Sequence, residues 1–170
     1  FCLQKRFVNE IPMDTDMVCL CNPNNPTGQL IDREVLEQVA DYCQKTDTCL
    51  LLDECFHDFL EEGSVHTLLP RVKENPKLFV LRAFTKMYGM AGLRLGYGIC
   101  SDTELIRRME QVTQPWNVSV PAQAAGIAAA REQEFVAVSR QMITEQKKLL
   151  LAGLEAAGVK VYGSARSEEH

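Results

Sequence analysis

No apolar run in this chain approaches the roughly 20 residues of a membrane-spanning helix. The amino terminus, Phe1-Cys2-Leu3-Gln4-Lys5-Arg6, is not a signal peptide. Positive charge is also scarce. Eighteen Lys and Arg face 23 Asp and Glu, and the net charge of −5 gives no general electrostatic reason to bind nucleic acid or an anionic membrane. No Gly-x-Gly-x-x-Gly opens a helix after a strand, and Gly89, Gly92, Gly96 and Gly98 have the wrong spacing, which argues against a dinucleotide-binding domain. Internal repeats and low-complexity linkers are missing too. His57, His66 and His170 form neither a metal nor a triad pattern and are expected in solvent or loops.

What is present describes one ordinary domain. With 170 residues, 46% hydrophobic and 24% charged, the chain is long enough to bury a core and is composed like a globular protein. It starts without methionine and is read as a fragment or processed product. Seven cysteines are an odd count, with no second Cys-rich cluster or nearby histidine to make a metal site. They are expected as buried thiols of a cytosolic protein, with Cys19 and Cys21 on the same side of a strand.

Short apolar runs ended by turn residues predict strands at Met17–Cys21, Cys49–Asp53, Leu78–Arg82 and Leu95–Cys100. Between the first two, residues 32–44 predict a helix capped by Asp32, with Val35, Leu36, Val39, Ala40 and Cys43 on one face. This alternation predicts an open α/β sheet. The second half reads as helical: Thr103–Val112, then Pro121–Arg131 packed closely through small residues, then Glu132–Ala157 stopped by Gly158. Val159–Tyr162 is expected to open another strand, and Trp116 to be a partly buried packing aromatic.

Ligands of open α/β sheets sit at the carboxyl ends of strands. Asn25 follows the first strand, Asp53 ends the second and Lys86 follows the third, so three chemically distinct side chains are expected to converge. The run Arg82-Ala-Phe-Thr-Lys86-Met-Tyr-Gly-Met-Ala-Gly-Leu-Arg94 suits an aldehyde cofactor that carries a phosphate. Lys86 offers an amine for a Schiff base, while Thr85 and Arg94 offer a hydroxyl and a bidentate guanidinium for the phosphate. With a pyridoxal aldehyde, Asp53 would pair with the protonated pyridine nitrogen and make the ring an electron sink. Asn25 would donate to the ring hydroxyl, and a freed Lys86 would act as the proton-moving base.

Asn22-Pro-Asn-Asn25-Pro-Thr-Gly28, Leu51-Leu-Asp53-Glu-Cys-Phe56 and the Lys86 run, in that order, resemble the class I/II aminotransferase family of fold-type I pyridoxal-phosphate enzymes. Within it they are most similar to the histidinol-phosphate aminotransferase and threonine-phosphate decarboxylase branch. The matching stretch covers about Val18 to Gly98, with a weaker match beyond. The resemblance places the Asn-Pro-Thr-Gly box on Asn25–Gly28, the pyridine-binding aspartate on Asp53, the Schiff-base lysine on Lys86 and the phosphate arginine on Arg94. Two positions depart from it. Phe56 stands where many members have a tyrosine that contacts the ring hydroxyl, and Ala83 where many have a serine or threonine. Asp53–Phe59 and Gln114–Val118 resemble the decarboxylase side of the branch.

The resemblance implies a three-layer, open, mostly parallel sheet with helices on both faces, part of the large pyridoxal-phosphate domain, with one strand antiparallel. Residues 1–158 would be the central part of that domain and residues 159–170 the start of a truncated small domain. The implied activity is that of an aminotransferase acting on an amino acid, phosphorylated or plain. The alternative is a lyase, the threonine-phosphate decarboxylase of cobalamin biosynthesis, and a further alternative is a non-catalytic α/β ligand-binding module. The implied cofactor is pyridoxal 5'-phosphate. The partners would be a small amino-acid substrate and, in a complete parent, a second copy in a cytoplasmic homodimer. The family's glycine-rich phosphate loop, its ring-stacking aromatic and most of its small domain are missing, so the chain alone is expected to be inactive.

Overall fold

The computed structural model describes residues 7–161. Its scaffold is a four-stranded sheet in the order β1 (Met17–Cys21), β2 (Cys49–Asp53), β3 (Leu78–Ala83), β4 (Gly96–Ile99). β1, β2 and β3 are parallel, and β4 runs antiparallel to β3. Helix α1 (Arg33–Lys45) connects β1 to β2. A single turn, α2 (Gly63–His66), and two 3₁₀ turns, His57–Phe59 and Leu69–Lys73, lie between β2 and β3. Then come α3 (Thr103–Val112), α4 (Val120–Ala129) and α5 (Gln133–Ala156).

The core forms where two periodicities meet. In the strands every second residue faces the same way, and Val18, Leu20, Leu50, Leu52, Leu78 and Val80 make one buried face. Helix α1 places Val35, Leu36, Val39, Ala40 and Cys43 in that same core, the five positions expected from its spacing. Each buried Leu or Val contributes about 1.5–3 kcal/mol of transfer free energy. The start of α1 is set by Asp32, whose carboxylate accepts from the Glu34 N–H at 2.8 Å. The opposite face carries Cys19, Cys21, Leu51, Asp53, Phe79 and Leu81, and much of it is open. Gly98 lies across from Leu81, and a Cβ there would meet the Phe79 ring at 2.3 Å, so the close approach of β4 requires glycine.

Several expectations are corrected. The fourth strand is shorter than expected, Gly96–Ile99. Of the six described thiols only Cys43 is buried; Cys19 and Cys21 do share a side, but it is the open one, because they alternate with Val18 and Leu20. His57 is buried rather than solvated, with Nε2 2.7 Å from the Gly63 carbonyl oxygen. Trp116 is 95% exposed, on a residue with φ of 56°. Residues 159–161 form no strand; Tyr162, His170 and most of the expected second unit, 159–170, lie outside the described residues.

Candidate active site

The loop after β1 closes on itself before it reaches the site. Asn22 is fully buried: its Oδ1 accepts from the Ile31 N–H at 2.9 Å and its Nδ2 donates to the His66 carbonyl at 2.9 Å. The Gly28 N–H donates to the Asn24 carbonyl at 2.7 Å, with Gly28 at φ 71°, a left-handed turn that favours glycine. These bonds hold Asn25 beyond the strand end. The Asn22 N–H also donates to the Asp53 carbonyl at 2.8 Å, which ties this loop to the end of β2.

Asp53 follows from the strand period onto the open face, and its Oδ1 accepts from the Cys55 N–H at 2.9 Å. Burial, then hydrogen bonding to and the charge of Asp53, push the Cys55 thiol up to about 12. Burial and the same carboxylate raise Cys21. Lys86 comes from the loop after β3, which is fixed by the Phe84 N–H to the Leu95 carbonyl (3.1 Å) and the Gly89 N–H to the Lys86 carbonyl (3.0 Å). Its Nζ lies 5.1 Å from the centroid of the Phe56 ring, a cation–π contact. Arg94 has φ 51° and donates from Nη1 to the Ala91 carbonyl at 2.8 Å.

Asn25, Asp53, Thr85, Lys86 and Arg94 all line one cavity of about 700 Å³, together with Phe56 and Tyr97. That volume suits a small molecule. The strand-end argument therefore brings together every side chain expected there. The donor set also matches pyridoxal phosphate chemically: an acid at one wall for a basic ring nitrogen, an amine for an aldehyde, and a hydroxyl with a guanidinium for a phosphate.

Two residues of the neighbourhood were missed. Glu54 is buried (side chain 0% exposed) and pairs with Arg82 (10%) at 2.6 Å. Glu54 also accepts from the Thr67 hydroxyl at 2.8 Å and the Leu68 N–H at 3.2 Å, and Arg82 reaches Asp58 at 3.3 Å. Beside them, burial and the charge of Arg82 lower the pKa of His57. The available signal was the strand period: Glu54 and Arg82 fall on the face away from Asp53, where a charge must find a partner.

Comparison with known proteins gives the family and the fold. The family model for aminotransferase class I and II matches residues 5–167. A histidinol-phosphate aminotransferase of Brevibacillus brevis is 37% identical over 150 residues, covering 88% of this chain and 41% of that protein. A threonine-phosphate decarboxylase of Salmonella typhimurium is 38% identical over 133 residues, covering 78% of this chain and 36% of that protein. The crystal structure of a histidinol-phosphate aminotransferase from Sinorhizobium meliloti in complex with pyridoxal-5'-phosphate superposes with a TM-score of 0.79 at 25% identity, covering 88% of this chain and 40% of that one. The chain thus spans about two fifths of the length of the curated relatives it matches.

Proposed function

The chain belongs to the class I and II aminotransferases, and from that premise we propose that it carries the lysine wall of a pyridoxal-phosphate site in an enzyme acting on an amino acid. The observation that carries the reading is the meeting of Lys86, Asp53, Thr85 and Arg94 on one cavity. In this reading Thr85 and Arg94 hold the phosphate, Asp53 holds the ring nitrogen and Asn25 the ring hydroxyl. When bound, pyridoxal phosphate supplies an aldehyde and a ring that accepts an electron pair.

The chain's own residues do the rest. The Lys86 amine is the covalent anchor and, when free, the base that takes and returns a proton at Nζ. Phe56 gives that amine an aromatic face. The Cys55 N–H fixes one oxygen of Asp53 and thereby orients the carboxylate.

The parent reaction is transamination of an amino acid or a close relative of one, and a phosphate ester on that amine substrate is favoured because relatives named for histidinol phosphate, an amino alcohol, and for threonine phosphate, an amino acid, share this stretch. Decarboxylation, a lyase reaction, is the second reading, favoured by 38% identity to the Salmonella enzyme and by the Asp53–Phe59 motif. Residues 1–158 are assigned to the cofactor domain and 159–170 to the start of a second one. The complete protein is assigned as a cytoplasmic homodimer; exposed Val112, Val120 and Ile127 supply apolar surface for a partner, and the location rests on the resemblance.

Mixing the protein with pyridoxal phosphate, reducing with borohydride and mapping peptides by mass spectrometry tests the site. The expected result is one adduct at Lys86, lost in Lys86→Arg. Adducts scattered over surface lysines in the complete protein as well would favour a non-catalytic module.

A further inference from the structure

The Glu54–Arg82 pair sits where the sheet hands over to the site. β2 and β3 pair in register through Asp53 and Leu81, and the same register continued by one residue sets Glu54 opposite Arg82. The last backbone link at this point is the Glu54 N–H to the Leu81 carbonyl, at 3.0 Å. Beyond it the side chains take over, with the carboxylate and guanidinium 2.6 Å apart. Asp53 directly precedes one partner, and Lys86 lies four residues after the other.

The pair is a costly way to gain stability alone. Two charges leave water, and Arg82 Nε is buried without a hydrogen-bond partner. Apolar residues of similar volume often stabilise such a position as well or better. What an ion pair adds is direction. Glu54 is further fixed by the Thr67 hydroxyl and the Leu68 N–H, and Arg82 by Asp58 and by a 3.2 Å contact from Nη2 to the Thr67 hydroxyl. The network therefore ties the segment after β2 to β3, with Arg82 at the margin of the cavity and Glu54 behind it.

We propose that Glu54 and Arg82 are positioning residues, a buried clamp that sets the separation of Asp53 and Lys86 across the site. The inference rests on the reading of that site as a pyridoxal-phosphate site. Neither side chain has a role in bond making. Both act through the backbone that carries the groups which do. Misplacing reacting groups by about 1 Å costs on the order of 100-fold in rate, so the clamp should be visible in the rate of covalent capture.

The test uses the complete protein, with pyridoxal 5'-phosphate as the probe. Its capture at Lys86 is followed by absorbance and confirmed by borohydride reduction and peptide mapping, and thermal melting reports the fold. Three variants are compared with wild type: Glu54→Gln, Arg82→Lys, and the neutral pair Glu54→Gln with Arg82→Met, which leaves no unpaired buried charge. The expected result is a folded neutral pair whose capture rate falls about 100-fold, with Arg82→Lys retaining most of the rate. A folded neutral pair that captures at the wild-type rate overturns the proposal, as does a neutral pair that no longer folds, since the charges would then serve only folding. If wild type itself captures nothing at Lys86, the reading of the site falls and this inference with it. That outcome is distinct because it shows in the unmodified protein.

Discussion

Helices α1 and α5 bury very different shares of their apolar residues. α1, with 13 residues, buries five of them, all against the sheet. α5 is 24 residues long and buries none, leaving Phe135, Val138, Met142, Leu149 and Leu150 largely exposed. Residues up to Ile99 hold the sheet and the site, whereas α3 to α5 touch that body at a few points. Ala122 and Gly126 of α4 are buried, Phe135 stacks on Tyr88 with centroids 6.0 Å apart, and Arg140 Nε donates to the Asp58 carbonyl. The difference teaches that helix length and apolar content do not create a core. α1 is laid onto the sheet because it joins two adjacent parallel strands; among the described residues no strand follows α5.

The sharpest way to break this contrast is to truncate one leucine in each region. Leu52→Ala, at a fully buried site, is expected to cost about 2–5 kcal/mol in urea denaturation. Leu150→Ala, at a side chain 62% exposed, should stay within about 0.5 kcal/mol. Equal losses would mean that α5 packs as tightly as the core between α1 and the sheet.

Glycine replacements probe the seam between the regions. A Cβ on Gly126 would meet the Leu95 Cδ2 methyl at 2.5 Å, which must swing aside, so Gly126→Ala should lose the usual helical gain of alanine and destabilise by up to about 1 kcal/mol. Gly153, in α5, has open space around it, and Gly153→Ala should stabilise by about 0.5–1 kcal/mol through helix propensity. The opposite signs, read as shifts in melting temperature, would place the contact between the two regions at Leu95.

Helix starts give the smallest effect. Asp32 caps α1 through its side chain, and Asp32→Ala should cost about 1 kcal/mol. Glu132 stands at the same position of α5 without a side-chain cap, so Glu132→Ala should change stability by less than about 0.5 kcal/mol. Thermal melts of the two variants make the comparison.

The amino-acid sequence by itself determined the elements, for a local reason. Apolar spacing of two or of three and four is readable in a window of a dozen residues, and Asp32, Gly28 and Gly158 punctuate it where the structure has a helix start, a turn and a helix end. It also determined which chemical groups stand at the strand ends, and hence the cavity lined by Asn25, Asp53, Thr85, Lys86 and Arg94. Tertiary structure decided what depends on distant partners. Whether Cys19 or Cys43 is buried turns on which sheet face α1 covers, and His57 is buried because Gly63 comes back against it. In their own segments Glu54 and Arg82 carry only a strand period that turns them to the face away from Asp53, with no sign of each other. Only the register of β2 on β3 sets them opposite one another and out of water, because strand pairing joins residues that no local window contains.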